Sequence, residues 1–90
     1  MVGKYRIVYT KNATKDIPKL KAARLDGKAR ALIDIIRNDP YQNPPPYEKL
    51  LGQLRGAYSR RINVQHRLVY EVVEDAKIVK IVSLWSHYEF

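Results

Sequence analysis

Residues 58–70 read YSRRINVQHRLVY, and this stretch decides how the chain folds. Aromatic and branched residues on either side of a polar centre read as two short strands and a turn, yet three arginines and a histidine sit among them. Between Glu48 and Glu71 there is no acidic residue, while Lys49, Arg55, Arg60, Arg61 and Arg67 are basic. A rigid hairpin with such a field is a candidate phosphate site. If Val64 and Gln65 form a two-residue turn, Ile62 lies opposite Arg67 and Arg60 opposite Val69. Arg60 and Arg67 then share one face and Arg61 takes the other; a slip of one residue reverses the assignment.

Outward from the hairpin, residues 67–73 (RLVYEVV) and 77–88 (KIVKIVSLWSHY) read as two more strands around the polar turn Glu74-Asp75-Ala76. Three consecutive strands with short turns make an antiparallel meander. Upstream, Gly52 and Gly56 bracket a turn. Residues 40–46 (PYQNPPP) predict an extended, polyproline-like, stiff arm that fixes the position of Tyr47-Glu48-Lys49. Further upstream, Ala29, Leu32, Ile33 and Ile36 follow the spacing of one buried helical face, with Asp26 as the expected N-cap and an end near Asn38 and Asp39, before Pro40. An earlier helix is expected over residues 12–25 from Ile17, Leu20, Ala23 and Leu25, although Pro18 costs a helical hydrogen bond outside a first turn. The short connection makes the two helices antiparallel. Residues 4–9, with YRIVY at their centre, predict a first strand. The fold class is therefore α+β: one domain over residues 1–90, an N-terminal strand and two antiparallel helices packed on a mainly antiparallel four-stranded sheet. Helices cover one face of that sheet and leave the other for a ligand.

Composition narrows the function. The chain has 90 residues, 17 Lys and Arg against 9 Asp and Glu, a formal charge of +8 and a pI of about 9.9. Nucleic acid is the first anionic partner to consider, an acidic protein the second. No cysteine and two histidines leave neither a disulfide frame nor a plausible metal cluster, so no metal or cofactor is expected. No apolar run suits a signal peptide or a membrane span, which points to the cytoplasm.

Metal-free RNA cleavage can use the neighbouring 2′-hydroxyl as nucleophile. It needs a base, an acid for the departing 5′-oxygen and a cation on the crowded phosphate. Glu48 is the carboxylate immediately before the basic stretch, Arg61 and Arg67 can fork onto phosphate oxygens, and His87 lies at the end of the last strand, beside Tyr88, which can stack on a base or donate a hydrogen bond. Each has an ordinary rival: a lone Glu on a basic surface is commonly a solvated ion-pair partner, and strand arginines commonly pair. Arg60 and His66 are expected to be mainly structural, and Trp85 and Leu84 to pack the core. A non-catalytic module that blocks translation by binding RNA or the ribosome fits these residues too. No recognition-helix pattern suggests direct reading of duplex DNA.

The order Glu48, Gly56, Ser59-Arg60-Arg61-Ile62, His66-Arg67-Leu68-Val69-Tyr70 and His87-Tyr88 resembles the YoeB/Txe toxins of the RelE superfamily, most strongly over residues 48–88. The resemblance implies a RelE-like fold and the toxin of a type II toxin–antitoxin pair, which enters the ribosomal A site and cleaves mRNA. It implies Glu48 as general base, His87 as general acid and Arg67 as the cation at the transition state, with Arg61, Tyr88 and Lys49 on the RNA. As partners it implies mRNA, the ribosome, a YefM/Phd-like antitoxin, operator DNA only through that antitoxin, and a capacity to form a homodimer. The chain departs from the family's pattern in carrying Lys49-Leu50-Leu51 where many members have Pro-Leu-Lys, and Glu89-Phe90 after the His-Tyr pair.

Overall fold

In the computed structural model, which describes residues 4–87, the first strand, β1 (Arg6–Tyr9), stops where Thr10 turns to cap helix α1 (Lys11–Ala22). The Thr10 hydroxyl accepts from the Ala13 N–H at 3.0 Å, satisfying an amide that a helix start leaves open. Ala13, Asp16 and Leu20 are buried, and the helix runs on through Pro18, which is exposed. Burial of that stripe outweighs the hydrogen bond the proline cannot make.

The helix expected to reach Leu25 ends at Ala22, because Arg24 adopts a left-handed conformation (φ 59°). The amides of Arg24 and Leu25 bond back to the carbonyls of Lys21 (3.1 Å) and Leu20 (2.8 Å), closing a Schellman turn. Leu25 leads directly into α2 (Asp26–Asn38) and occupies its N-cap. Asp26, expected there, is instead the first helical residue, where its charge still complements the helix dipole. Ala29, Leu32, Ile33 and Ile36 form the buried face, as their spacing predicts.

After α2 come β2 (Glu48–Lys49), a 3-10 turn (Gly52–Leu54), β3 (Ala57–Arg61), β4 (His66–Val73) and β5 (Ile78–His87). Gly52 and Gly56 flank the turn with φ of 71° and 95°, conformations that glycine adopts without a Cβ penalty. The sheet order is β1-β5-β4-β3-β2, with β1 parallel to β5 and every other pair antiparallel. Five strands replace the expected four; the extra one is β2, two exposed residues too short to show alternation.

The helices pack on one sheet face through a core that includes Leu20, Ile36, Leu68, Tyr70, Ile81 and Leu84. Where β1 ends, α1 becomes the neighbour of β5. The Thr10 hydroxyl donates to the Val82 carbonyl at 2.8 Å, and the Leu84 amide donates to the buried Asp16 carboxylate at 3.0 Å. These contacts serve the part of β5 where its register with β4 shifts twice, between Arg67 and Val69 and between Val69 and Tyr70. Among the described residues no helix is long and apolar enough to cross a membrane.

Residues 40–46 are not the uniform polyproline segment predicted. Tyr41 and its neighbours turn, the Tyr41 amide donating to the Asp39 carboxylate at 3.0 Å, and Pro40 is buried. The Tyr41 hydroxyl donates to Glu74, which also accepts from Tyr5 (3.0 Å) and Lys77 (3.2 Å). Those donors, Tyr41 foremost, hold the Glu74 carboxyl below its ordinary range, while burial and the adjacent Glu74 push the Tyr41 hydroxyl up. The arm is thus tied down at several points and carries Tyr47 and Glu48 to the edge of the sheet.

Candidate active site

The hairpin of β3 and β4 differs in register from that expected of a two-residue turn at Val64 and Gln65. β3 ends at Arg61 and β4 begins at His66, leaving a four-residue loop. Asn63 sets its length: the Asn63 side-chain oxygen accepts from the amides of Gln65 (2.9 Å) and His66 (2.7 Å), while the Ile62 amide donates to the His66 carbonyl (2.9 Å). Arg61 consequently lies opposite Arg67 and Arg60 opposite Leu68. By strand alternation Arg61 and Arg67 share one face and Arg60 points to the other, the reverse of the first assignment.

β2 completes the arrangement. Glu48 pairs with Ser59 across the β2–β3 ladder, which puts Glu48, Ser59, Arg61 and Arg67 on one face. Arg67 is only 5% exposed, and its Nη1 donates to the Glu48 carboxylate and to the Ser59 hydroxyl, each at 3.3 Å. The Glu48 side chain remains 52% exposed, so one end of the pair is desolvated and the other faces solvent. A cavity of about 210 Å³ opens between them, lined by Pro46, Tyr47, Glu48, Ser59, Arg61 and Arg67. It holds a carboxylate next to two guanidinium groups, a mouth suited to an anion beside a group that can take a proton.

The other expected residues are placed as follows. β5 ends at His87, whose backbone pairs with His66 one position beyond the Arg67–Ser86 pair, so the strand brings it to the same end of the sheet as Arg61 and Arg67. The side chain of His87 and all of Tyr88 lie outside the described residues. Lys49 is not brought into the cavity. It pairs with Tyr58, projects to the opposite face from Glu48, and lines a separate hollow with Leu50, Leu51 and Arg55. His66 is buried and its ring stacks on Trp85 at 3.9 Å, in line with a structural role. Ser59 and Tyr47 join the site without having been singled out. Ser59 could have been found from its place two residues before Arg61 on the same strand face; Tyr47 offered only its adjacency to Glu48.

Comparisons with known proteins bear on the family and the fold. A family model described as the YoeB-like toxin of the bacterial type II toxin–antitoxin system matches residues 9–88. Toxin YoeB of Streptomyces coelicolor is 33% identical over 85 residues, covering 92% of this chain and 99% of that protein. Toxin YoeB of Synechocystis is 40% identical over 58 residues, and the match spans 64% of this chain and 65% of the relative's length. Among solved structures, a YoeB/ParE toxin from Agrobacterium tumefaciens superposes with a TM-score of 0.83 at 28% identity, over 92% of this chain and 99% of that one. A YoeB–YefM complex and a YoeB dimer from Staphylococcus aureus, both at 34% identity, give 0.77 and 0.78; they cover 93% and 94% of this chain and 98% and 99% of theirs.

Proposed function

Because the chain belongs to the YoeB-like toxins of bacterial type II toxin–antitoxin systems, we propose that it is a ribosome-dependent, metal-independent endoribonuclease that cleaves mRNA in the A site and so halts translation. The observation that carries the reading is the Glu48 carboxylate held 3.3 Å from the Arg67 guanidinium, with Arg61 on the same face of one cavity. Glu48 takes the proton of a 2′-hydroxyl, and the 2′-oxygen attacks the adjacent phosphorus. The bond from phosphorus to the 5′-oxygen breaks, and His87 delivers a proton to that departing oxygen. Arg67 and Arg61 hold the non-bridging oxygens as negative charge grows on them, a role that suits fixed guanidinium groups at a partly desolvated mouth. An incoming phosphate competes with Glu48 for Arg67, so substrate binding itself loosens the carboxylate for its work as base. The products are a 2′,3′-cyclic phosphate end, which water opens to a 3′-phosphate where hydrolysis follows, and a 5′-hydroxyl end. Tyr88 and Lys49 are assigned to RNA contact, Lys49 from outside the cavity.

The cognate partner is a YefM/Phd-like antitoxin whose acidic, disordered segment folds on the basic surface. Operator DNA is reached through the antitoxin, and the toxin can pair with a second copy, as the Staphylococcus aureus YoeB does in its dimer. The test is to map the 5′ ends of mRNA after induction and to repeat the cleavage on ribosomes whose A-site codon carries a 2′-deoxy substitution. Cuts at a fixed codon position that vanish with the deoxy substrate support the nuclease. Arrested translation without any new RNA end would instead identify a non-catalytic ribosome-binding module.

A further inference from the structure

We infer that Arg60 is a positioning residue for Glu48, acting through the proline arm from the face of the sheet opposite the cavity; the inference rests on Glu48 being the base. Arg60 is fully buried, and among the described residues no carboxylate lies within ion-pair distance of it. A guanidinium is costly to bury unless its N–H groups find acceptors. Here the acceptors come almost wholly from the arm. Nη1 donates to the Pro45 carbonyl at 2.6 Å, and Nη2 donates to the carbonyls of Pro40 (3.0 Å) and Gln42 (2.9 Å). Nε donates to the Tyr70 hydroxyl at 3.2 Å, and that hydroxyl in turn donates to the Pro40 carbonyl at 2.6 Å. The guanidinium also lies 5.0 Å from the centre of the Tyr47 ring, within cation–π range.

One side chain thus fixes the arm at three carbonyls between Pro40 and Pro45 and touches the residue that precedes Glu48. β2 is only two residues long, so its own ladder to β3 offers little else to hold Glu48 in place. Arg60 sits next to Ser59, the residue that pairs with Glu48. β3 therefore locates the carboxylate from both faces: directly through the ladder, and indirectly through the arm. A lysine at this position keeps the charge but has no planar fork to reach several carbonyls at once.

The experiment compares the parent chain with Arg60→Lys and Tyr70→Phe, the second a milder loosening of the same cluster should the first not fold. Amide hydrogen exchange over residues 41–48 reports the arm. Single-turnover cleavage of mRNA on programmed ribosomes reports the maximal rate separately from the toxin concentration that half-saturates it, and antitoxin binding reports the rest of the fold. Arg60→Lys should speed exchange in the arm and lower the maximal rate by about tenfold or more, a scale set by misplacement of a catalytic group. The half-saturating concentration and antitoxin affinity should stay within about twofold, and Tyr70→Phe should show the same pattern more weakly. A folded variant with a loosened arm and the parent's maximal rate would overturn the inference, as would unchanged exchange. A loss confined to the half-saturating concentration would also overturn it. No cleavage by the parent chain, with the arm still responding to Arg60, would sink the nuclease reading and reduce Arg60 to a structural tie.

Discussion

Arg60 and Arg61 are neighbours in sequence and opposites in circumstance. Arg60 is fully buried against backbone carbonyls and aromatic rings, whereas Arg61 is exposed at a cavity that also contains Arg67 and Glu48. The strand pleat alone separates them. On the closed side a guanidinium is a fastener whose hydrogen bonds are all spent within the protein. On the open side the guanidinium groups lie where an incoming anion can meet them, at a place where Glu48 and Ser59 already hold Arg67 in position. Residue type does not tell a structural arginine from a phosphate-binding one; the acceptors within reach do.

Substitutions on each side should separate stability from chemistry. The largest effect is expected from Glu48→Gln, which removes the proposed base and should slow single-turnover cleavage by about 10²–10⁴-fold. Because that carboxylate is half exposed, urea unfolding should shift by less than about 1 kcal/mol. Arg60→Ala should do the converse on the closed side, lowering unfolding stability by about 3 kcal/mol or more, since it strands several buried carbonyls and opens a void. Equal losses of stability in the two variants would erase the distinction between the faces. Asn63→Ala tests the loop that sets which arginine faces which side. It should cost about 1–2 kcal/mol in the same unfolding experiment, and cleavage should fall by more than the unfolded fraction explains. The smallest effect is expected at Glu74, which ties the arm through Tyr41. Its carboxyl is held low in the folded chain, so its contribution is present above the ordinary carboxylate range and is lost as pH falls through the lowered value. Glu74→Gln should therefore differ from the parent near neutral pH and converge with it in acid, as read from urea midpoints between about pH 3 and 7.

Much of the fold is legible in the sequence because its elements carry their own periodicity. Ala29, Leu32, Ile33 and Ile36 announce the buried face of α2, and the branched residues of β4 and β5 announce a meander. What escapes the sequence depends on single side chains or on neighbours far along the chain. Asn63 converts a two-residue turn into a four-residue loop with two hydrogen bonds, and every side chain of β3 changes face relative to β4 as a result. Arg24 ends α1 in a conformation usually given to glycine, so nothing in its identity marks the stop. β2 is visible only because Ser59 and Tyr58 pair with it. The site shows the same division. Glu48, Arg61 and Arg67 follow from charge and order along the chain and meet in one cavity, whereas alternation within the two-residue β2 sends Lys49 to the other face.

The position of β5 has a consequence for how the toxin comes into being. Of the five described strands it comes last along the chain, yet it lies inside the sheet, between β1 and β4. A nascent chain that stops before residue 78 holds β1 with no partner on either side, and a meander whose inner edge is bare. Joining residue 6 to residue 78 is a closure across most of the chain, which makes assembly late and cooperative. His87, assigned as the acid, ends that same strand. One strand thus both completes the sheet and carries the residue proposed as proton donor, so the fold and the proposed chemistry are finished together.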